Sequence, residues 1–312
     1  MNTPGKHLKH SSVQAFTLIE VLVASAVMVI LVGIVAYIAG SVMNSWNRAS
    51  GKLSANAEAR FVLDIIARDL ETTVLRNNGQ QWLRVDSKTE PSAALAGNAP
   101  YDTNQSDSVT LKLFAPALDR QNGDGVCAIA YQLQYKESYN GGPDTYALYR
   151  MVENPQRTLK LYLSSGFDDP TTSNQGNLLM KTVSDGTGNF VIWNQSQANG
   201  ITSNANYLAS NIVSFKIILY DASSDPRPVN ADPSSNAINA GYYAFGGVSA
   251  SGNPESADTL LYADIILTVV TDQGMDLLNN IEQSLVPDDP GDVVTQHGET
   301  LVRRVYFQPN PI

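Results

Sequence analysis

Cysteine, histidine and charge are scarce in this chain of 312 residues, and each scarcity removes a class of chemistry. A single cysteine, Cys127, cannot close an internal disulfide, so no disulfide framework holds the fold. Three histidines, two of them within the first ten residues, supply too little material for histidine catalysis or a multi-histidine metal site. Lys and Arg number 20 against 30 Asp and Glu, a formal charge of -10. Nucleic acid is therefore not an expected partner, because phosphate binding needs clustered cations to displace counterions. No Gly-x-Ser-x-Gly elbow, Ser-x-x-Lys pair or phosphate-cradling glycine loop stands at a strand–helix boundary. Nothing in the composition points to an enzyme. What is present is apolar material, 43% of the residues, enough for a sizeable core in one or two domains.

The N-terminus is the most informative segment. Residues 1–15 form a short basic polar leader with Lys6 and Lys9 and no acid. From Phe16 to Asn47 the only charged side chain is Glu20, and Phe16–Ala39 is dominated by Val, Ile, Leu, Ala and Met. At about 1.5 Å per residue such a helix spans the roughly 30 Å hydrocarbon core of a bilayer. A secretory signal would instead place a shorter apolar core between the charges and a small-residue cleavage site. The basic leader predicts that residues 1–15 face the cytoplasm and that everything after about residue 40 is exported. A carboxylate five residues into this segment costs roughly 2.5–3.5 kcal/mol on insertion scales and needs a partner or access to the head groups.

The string Ala15-Phe16-Thr17-Leu18-Ile19-Glu20-Val21-Leu22-Val23 resembles the cleavage and methylation signature of type IV prepilins. The resemblance implies cutting by a prepilin peptidase between Ala15 and Phe16, N-methylation of Phe16, and a register role for Glu20, whose carboxylate would pair with the Phe16 amine of a neighbouring subunit. Two departures stand out. Ala15 occupies the place where the family usually has Gly, and Tyr37 stands where many major pilins carry a helix-bending Pro, which favours a straighter, pseudopilin-like helix. Ala59-Arg60-Phe61-Val62-Leu63-Asp64-Ile65-Ile66-Ala67-Arg68-Asp69-Leu70, with Tyr146–Arg150, Asn211–Asp221 and Arg303–Phe307, is similar to J-type minor pseudopilins and PilW-like minor pilins.

Beyond the membrane segment the helix is expected to continue through residues 41–78. Leu53, Ala57, Phe61 and Ile65 form one apolar row, and Val62, Ile66, Leu70 and Val74 a second, together making one broad buried face. Arg48, Lys52, Glu58, Arg60, Asp64, Arg68, Asp69 and Glu71 form the opposite, solvated face, and Asn77-Asn78-Gly79 is the stop signal.

Residues 80–312 read as a β-rich head. Strands are expected at Val109–Phe114, in a hairpin from Cys127–Tyr135 through Gly141-Gly142-Pro143-Asp144 to Tyr146–Val152, at Val213–Leu219, Leu260–Thr271 and Val302–Gln308. Met275, Leu278 and Ile281 suggest a short helix. Ser164–Asn189, Asp221–Asp258 and Pro287–Gly298 are expected to be long exposed loops. The order predicts an α+β fold, one long helix packed on an antiparallel sheet.

Candidate sites in the head are few. Asp119, Asn122 and Asp124 offer oxygens that Ca²⁺ could use, although their spacing fits no EF-hand loop and an Asn-Gly turn accounts for the run. Asp288, Asp289, Asp292 and His297 read as a solvated acidic loop, Cys127 as a buried structural thiol, and Tyr242, Tyr243 and Phe245 as a plug over the sheet. The expected protein is a non-catalytic minor pseudopilin or minor pilin without a cofactor. It would be held in the bacterial inner membrane by lipid and then by neighbouring pilin helices, with its head in the periplasm. The alternative is an uncleaved, single-pass anchored binding or hydrolytic domain.

Overall fold

The computed structural model describes residues 17–75, 82–88, 108–117, 119, 125–137, 141–156, 158, 182–184, 189–191, 200–221, 226–228, 242–245, 247–248, 254–255 and 259–307. The chain divides into two compact units, Met1–Ser50 and Gly51–Ile312.

The described part of the first unit is helical throughout. Helix α1 (Leu18–Glu71) begins here, and every residue from Thr17 to Ser50 is exposed. The helix pairs its own backbone groups turn by turn, and between Val21 and Ile38 its exposed side chains are almost all apolar, as a lipid-facing helix requires. By length and composition this helix can cross a membrane.

In the second unit the remainder of α1 lies on a ten-stranded sheet. Its strands are β1 (Leu83–Lys88), β2 (Ser108–Pro116), β3 (Val126–Glu137), β4 (Asp144–Glu153), β5 (Tyr207–Ser210), β6 (Ile212–Asp221), β7 (Pro226–Pro228), β8 (Tyr242–Phe245), β9 (Leu260–Val270) and β10 (Gly298–Tyr306). The spatial order is β10-β9-β6-β2-β3-β4-β5; β1 pairs with β2 and β8, and β7 with β6. The pairing is antiparallel except where β2 meets β6 at Ser108 and Phe215, so the sheet is mixed rather than purely antiparallel. The β3–β4 hairpin is in the expected place, with Gly141 at φ 73° in its connection.

The core lies between α1 and one sheet face. Val62, Leu63, Ile66, Ala67 and Leu70 pack with Leu111, Leu113, Ile129, Tyr131, Phe215, Ile217, Ile265 and Leu267. Only one of the two expected apolar rows is therefore buried. Leu53 and Phe61 are 71% and 59% exposed, because a sheet covers one side of a helix and the buried arc is centred on Val62, Ile66 and Leu70. Asp69, expected on the solvated face, is buried in that arc.

The helix also stops at Glu71, short of the expected asparagine signal. Thr72 and Thr73 turn their hydroxyls back to the carbonyls of Arg68 and Asp69, at 2.9 Å each, and Val74 N–H donates to Phe114 O at 2.8 Å. Local hydroxyl acceptor-sharing and a β-branched run end the helix before glycine is reached. Residues 76–81 lie outside the described residues.

A second cluster joins α2 (Asp272–Glu282) and α3 (Pro290–His297) to Tyr146, Val213 and Val270. Helix α2 is the expected short helix, capped by Thr271 Oγ1, which accepts from Gly274 N–H at 3.2 Å. Helix α3 corrects the expected loop at Pro287–Gly298. Asp289 caps it by accepting from Gly291 N–H at 2.8 Å, Pro290 pre-sets its first turn, and Val293 and Val294 anchor it. The expected loop Asp221–Asp258 likewise contributes β7 and β8.

Candidate functional site

Thr17 and Glu20 close a reciprocal cap at the start of α1. Thr17 N–H donates to Glu20 Oε2 at 2.9 Å, the Thr17 hydroxyl donates to the same oxygen at 3.0 Å, and Glu20 N–H reaches Thr17 Oγ1 at 3.4 Å. This is the capping-box arrangement, with Thr at the N-cap and Glu three residues on. The single acid of the apolar segment thus holds two local donors and sits at the positive end of a helix dipole, both of which offset its cost in an apolar medium. The sequence pattern Thr-x-x-Glu carries this signal, and reading Glu20 only as an intermolecular partner missed Thr17. Ala15 and Phe16 lie outside the described residues.

Helix glycines add a second feature. A Cβ built on Gly33 or Gly40 meets nothing within 4 Å, so the unit's own packing does not call for glycine at either place. Each carries a helix-propensity cost of about 0.5–1 kcal/mol relative to Ala.

The head holds a buried polar knot. Arg150, on β4, donates from Nε and Nη2 to both oxygens of Asp69 at 2.9 and 3.0 Å, and from Nη1 and Nη2 to Asp119 at 2.6 and 2.9 Å. Tyr131, on β3, donates its hydroxyl to Asp69 and accepts from Arg150 Nε at 2.9 Å. Burial first, and the Asp69 charge second, hold the Tyr131 phenol well above its ordinary pKa, so it remains the donor. Burial is also the largest influence on Asp69 and lifts its carboxyl, against the pull of Arg150 and Tyr131. Desolvation works against the Arg150 cation, but Tyr131, Asp119 and Asp69 outweigh it and leave the guanidinium firmly charged. The knot joins the last turns of α1 to two central strands. Asp69, Tyr131 and Arg150 are buried and direct their polar side-chain atoms to one another and to Asp119, an arrangement that fixes the helix on the sheet.

The expected calcium oxygens divide accordingly. Asp119 spends both carboxylate oxygens on Arg150, and Asn122 and Asp124 lie outside the described residues. Among the described residues no group of three His, Cys, Asp or Glu side chains could hold a metal ion. Cys127 is fully buried, its thiol directed to Gly125 O at 3.6 Å and its pKa raised by burial. Asp289 is the N-cap of α3 and Asp292 lies in its first turn rather than in a loop, and Tyr242 and Phe245 bound β8, paired with β1.

Comparison with known proteins agrees with the N-terminal features. The prokaryotic N-terminal methylation motif matches residues 10–36. No curated protein matches the chain. Among solved structures, a type IV-like pilin from Thermus thermophilus aligns over 81% of this chain and 95% of its own length, with 10% identity and a TM-score of 0.34. The chain thus carries a prokaryotic N-terminal methylation motif at the head of a long apolar helix, together with an α+β sheet domain.

Proposed function

We propose that the chain is a non-catalytic prepilin subunit, a minor pseudopilin of a type II secretion-like apparatus or a minor pilin. It is cut between Ala15 and Phe16, methylated on Phe16, and assembled through α1. The observation that carries the reading is the register of the basic leader, Phe16-Thr17-Leu18-Ile19-Glu20 and the uncharged helix, which coincides with the matched motif. An exposed apolar helix is soluble only in lipid or against other helices, and Gly33 and Gly40 permit the close approach that helix packing without a hydrophobic driving force demands. Tyr37 continues the helix without a break, which favours the pseudopilin branch over a major pilin.

In this role Glu20 exchanges its Thr17 donors for the Phe16 amine of an adjacent subunit and so sets axial register. The leader stays cytoplasmic and the head periplasmic; the processed chain carries 18 basic minus 30 acidic residues, or -12, and all of these but Glu20 lie beyond the apolar segment, where they face cargo and companion subunits. N-terminal sequencing and intact mass of the membrane-extracted protein decide the matter. A chain of 297 residues (312 minus 15) beginning with N-methylated Phe16 is expected. A chain that keeps Met1 in cells containing an active prepilin peptidase would overturn the reading.

A further inference from the structure

Polar side chains are treated in two ways along the first part of α1. Ser25 returns its hydroxyl to Leu22 O at 2.8 Å, which spares an apolar solvent an unmade donor. Ser41, Asn44, Ser45 and Arg48 make no such return and meet no side-chain partner among the described residues, although all four are exposed. Serine in a helix can always bond back to the preceding turn, so donors left open here are open to something outside the chain.

Those four residues share one face. Tyr37, Gly40, Ser41, Asn44, Ser45 and Arg48 follow helical spacing and line a groove of about 500 Å³. At Gly40 an added Cβ would meet nothing within 4 Å, so the floor of the groove is bare backbone. Val35, Ala39, Val42 and Trp46 follow the opposite face, with Val42 62% and Trp46 71% exposed.

Depth and charge narrow what can fill the groove. Val21–Gly40 is uncharged and, at about 1.5 Å per residue, rises about 30 Å, the thickness of the hydrocarbon core. In a bilayer Ser41–Arg48 therefore fall in the headgroup layer, the level at which a Trp such as Trp46 anchors a helix. Arg48 is the first charged residue after Glu20, and no acid occurs before Glu58. The groove thus offers one cation, two hydroxyls, an amide and no anion. A phosphodiester matches the guanidinium fork and the hydroxyls. A headgroup that ends in an ammonium brings a second cation with no carboxylate to meet it, whereas one that ends in hydroxyls finds the Asn44 amide.

We propose that this groove binds an anionic phospholipid with a hydroxylated headgroup, of the phosphatidylglycerol class, in the leaflet where the apolar segment ends. Arg48 and the Ser41 and Ser45 hydroxyls hold the phosphodiester, the Asn44 amide meets the glycerol hydroxyls, and an acyl chain lies along Gly40 and Gly33. The inference rests on the membrane-anchored reading of α1 and concerns the subunit while it resides in the bilayer, before other helices cover the same glycines.

The test uses the full-length chain reconstituted into vesicles of equal parts phosphatidylethanolamine and phosphatidylglycerol, then moved to mild detergent for native mass spectrometry. Retained lipid is expected to favour phosphatidylglycerol about fivefold over the bulk ratio, the scale of one cation at an anionic surface. Arg48→Gln and Asn44→Leu, the second of which keeps every charge, each bring retention down towards the bulk ratio, while Lys52→Gln, beyond the groove, leaves it unchanged. Wild-type preference in Asn44→Leu, or an equal loss in Lys52→Gln, reduces the effect to diffuse charge and overturns the proposal. So does a Ser45→Cys chain that forms a disulfide dimer in these vesicles and retains no lipid, which places a second copy in the groove. Resistance of the vesicle-bound chain to alkaline extraction reads the anchor separately. An extracted chain removes the membrane-anchored reading, whereas an inserted chain without lipid preference removes this site alone.

Discussion

Arg150 meets Asp69 with two parallel hydrogen bonds, Nε to Oδ2 and Nη2 to Oδ1, and the two side chains are only 3% and 4% exposed. A guanidinium fork against a carboxylate fixes direction as well as distance, so this pair sets where the end of α1 sits on β3 and β4. Breaking one half leaves a buried charge short of its partner. Asp69→Ala is expected to cost about 3–5 kcal/mol, read as a lower denaturant midpoint for the head's near-ultraviolet circular dichroism in the full-length chain. The double variant Asp69→Leu/Arg150→Met recovers much of that loss, because removing both charges removes the desolvation they share.

Glu58 gives the head a pH dependence of definite sign. Its carboxyl is raised above its ordinary value, first by burial and then by the Asp272 charge, against the Ser210 N–H bond that lowers it. A raised acid stabilises the fold fully below its unfolded pKa, and that contribution is lost as pH rises through the folded value. Glu58→Gln keeps an acceptor for Ser210 and removes the ionisation. Its stability is therefore expected to gain on wild type as pH is raised from about 4 to about 7, measured as the difference in melting temperature. A constant difference across that range contradicts this role for Glu58.

At the start of α1, Thr17→Ala removes the side-chain oxygen that Glu20 N–H reaches and the hydroxyl that reaches Glu20. The cost at the helix N-terminus is about 1 kcal/mol. Faster amide exchange at Leu18–Leu22 in bicelles, with insertion unchanged, is the expected result. Glu20→Gln should leave insertion intact and abolish incorporation into co-purified assemblies; normal assemblies with Gln would remove Glu20 from any register role.

The two apolar rows of α1 within the head should respond oppositely. Ile66→Ala, in the fully buried row, is expected to cost about 2–5 kcal/mol. Leu53→Ser, in the exposed row, should stay within about 0.5 kcal/mol of wild type in the isolated chain. Thermal melts of the two variants separate the rows directly.

The parts of this fold that were legible in the sequence are those set by periodicity over many residues. The uncharged helix, the β3–β4 hairpin, β6, β9 and α2 lie where spacing places them. The failures share a cause, which is that tertiary partners decided between local alternatives. Leu53 and Ile66 are equally apolar, and only the position of the sheet chooses the buried one. Asp69 sits in a run of charged residues that pattern alone assigns to water, until Arg150, 81 positions away, supplies its counter-charge. Helix α3 hides among Pro, Asp and Gly, residues that end helices in most places but here occupy the cap and first turn. At the candidate site Glu20 was evident as an anomaly, while its bond to Thr17 lay in a capping pattern that the emphasis on a neighbouring subunit obscured.

Three residues past the end of α1, Val74 N–H is already hydrogen-bonded to Phe114 O, in a strand with neighbours on both sides. The helix consequently enters the sheet with no slack tether between them. Traction along Gly51–Glu71 is delivered to β2 in the middle of the sheet, where it is shared sideways among several ladders, rather than peeling one marginal strand at a time.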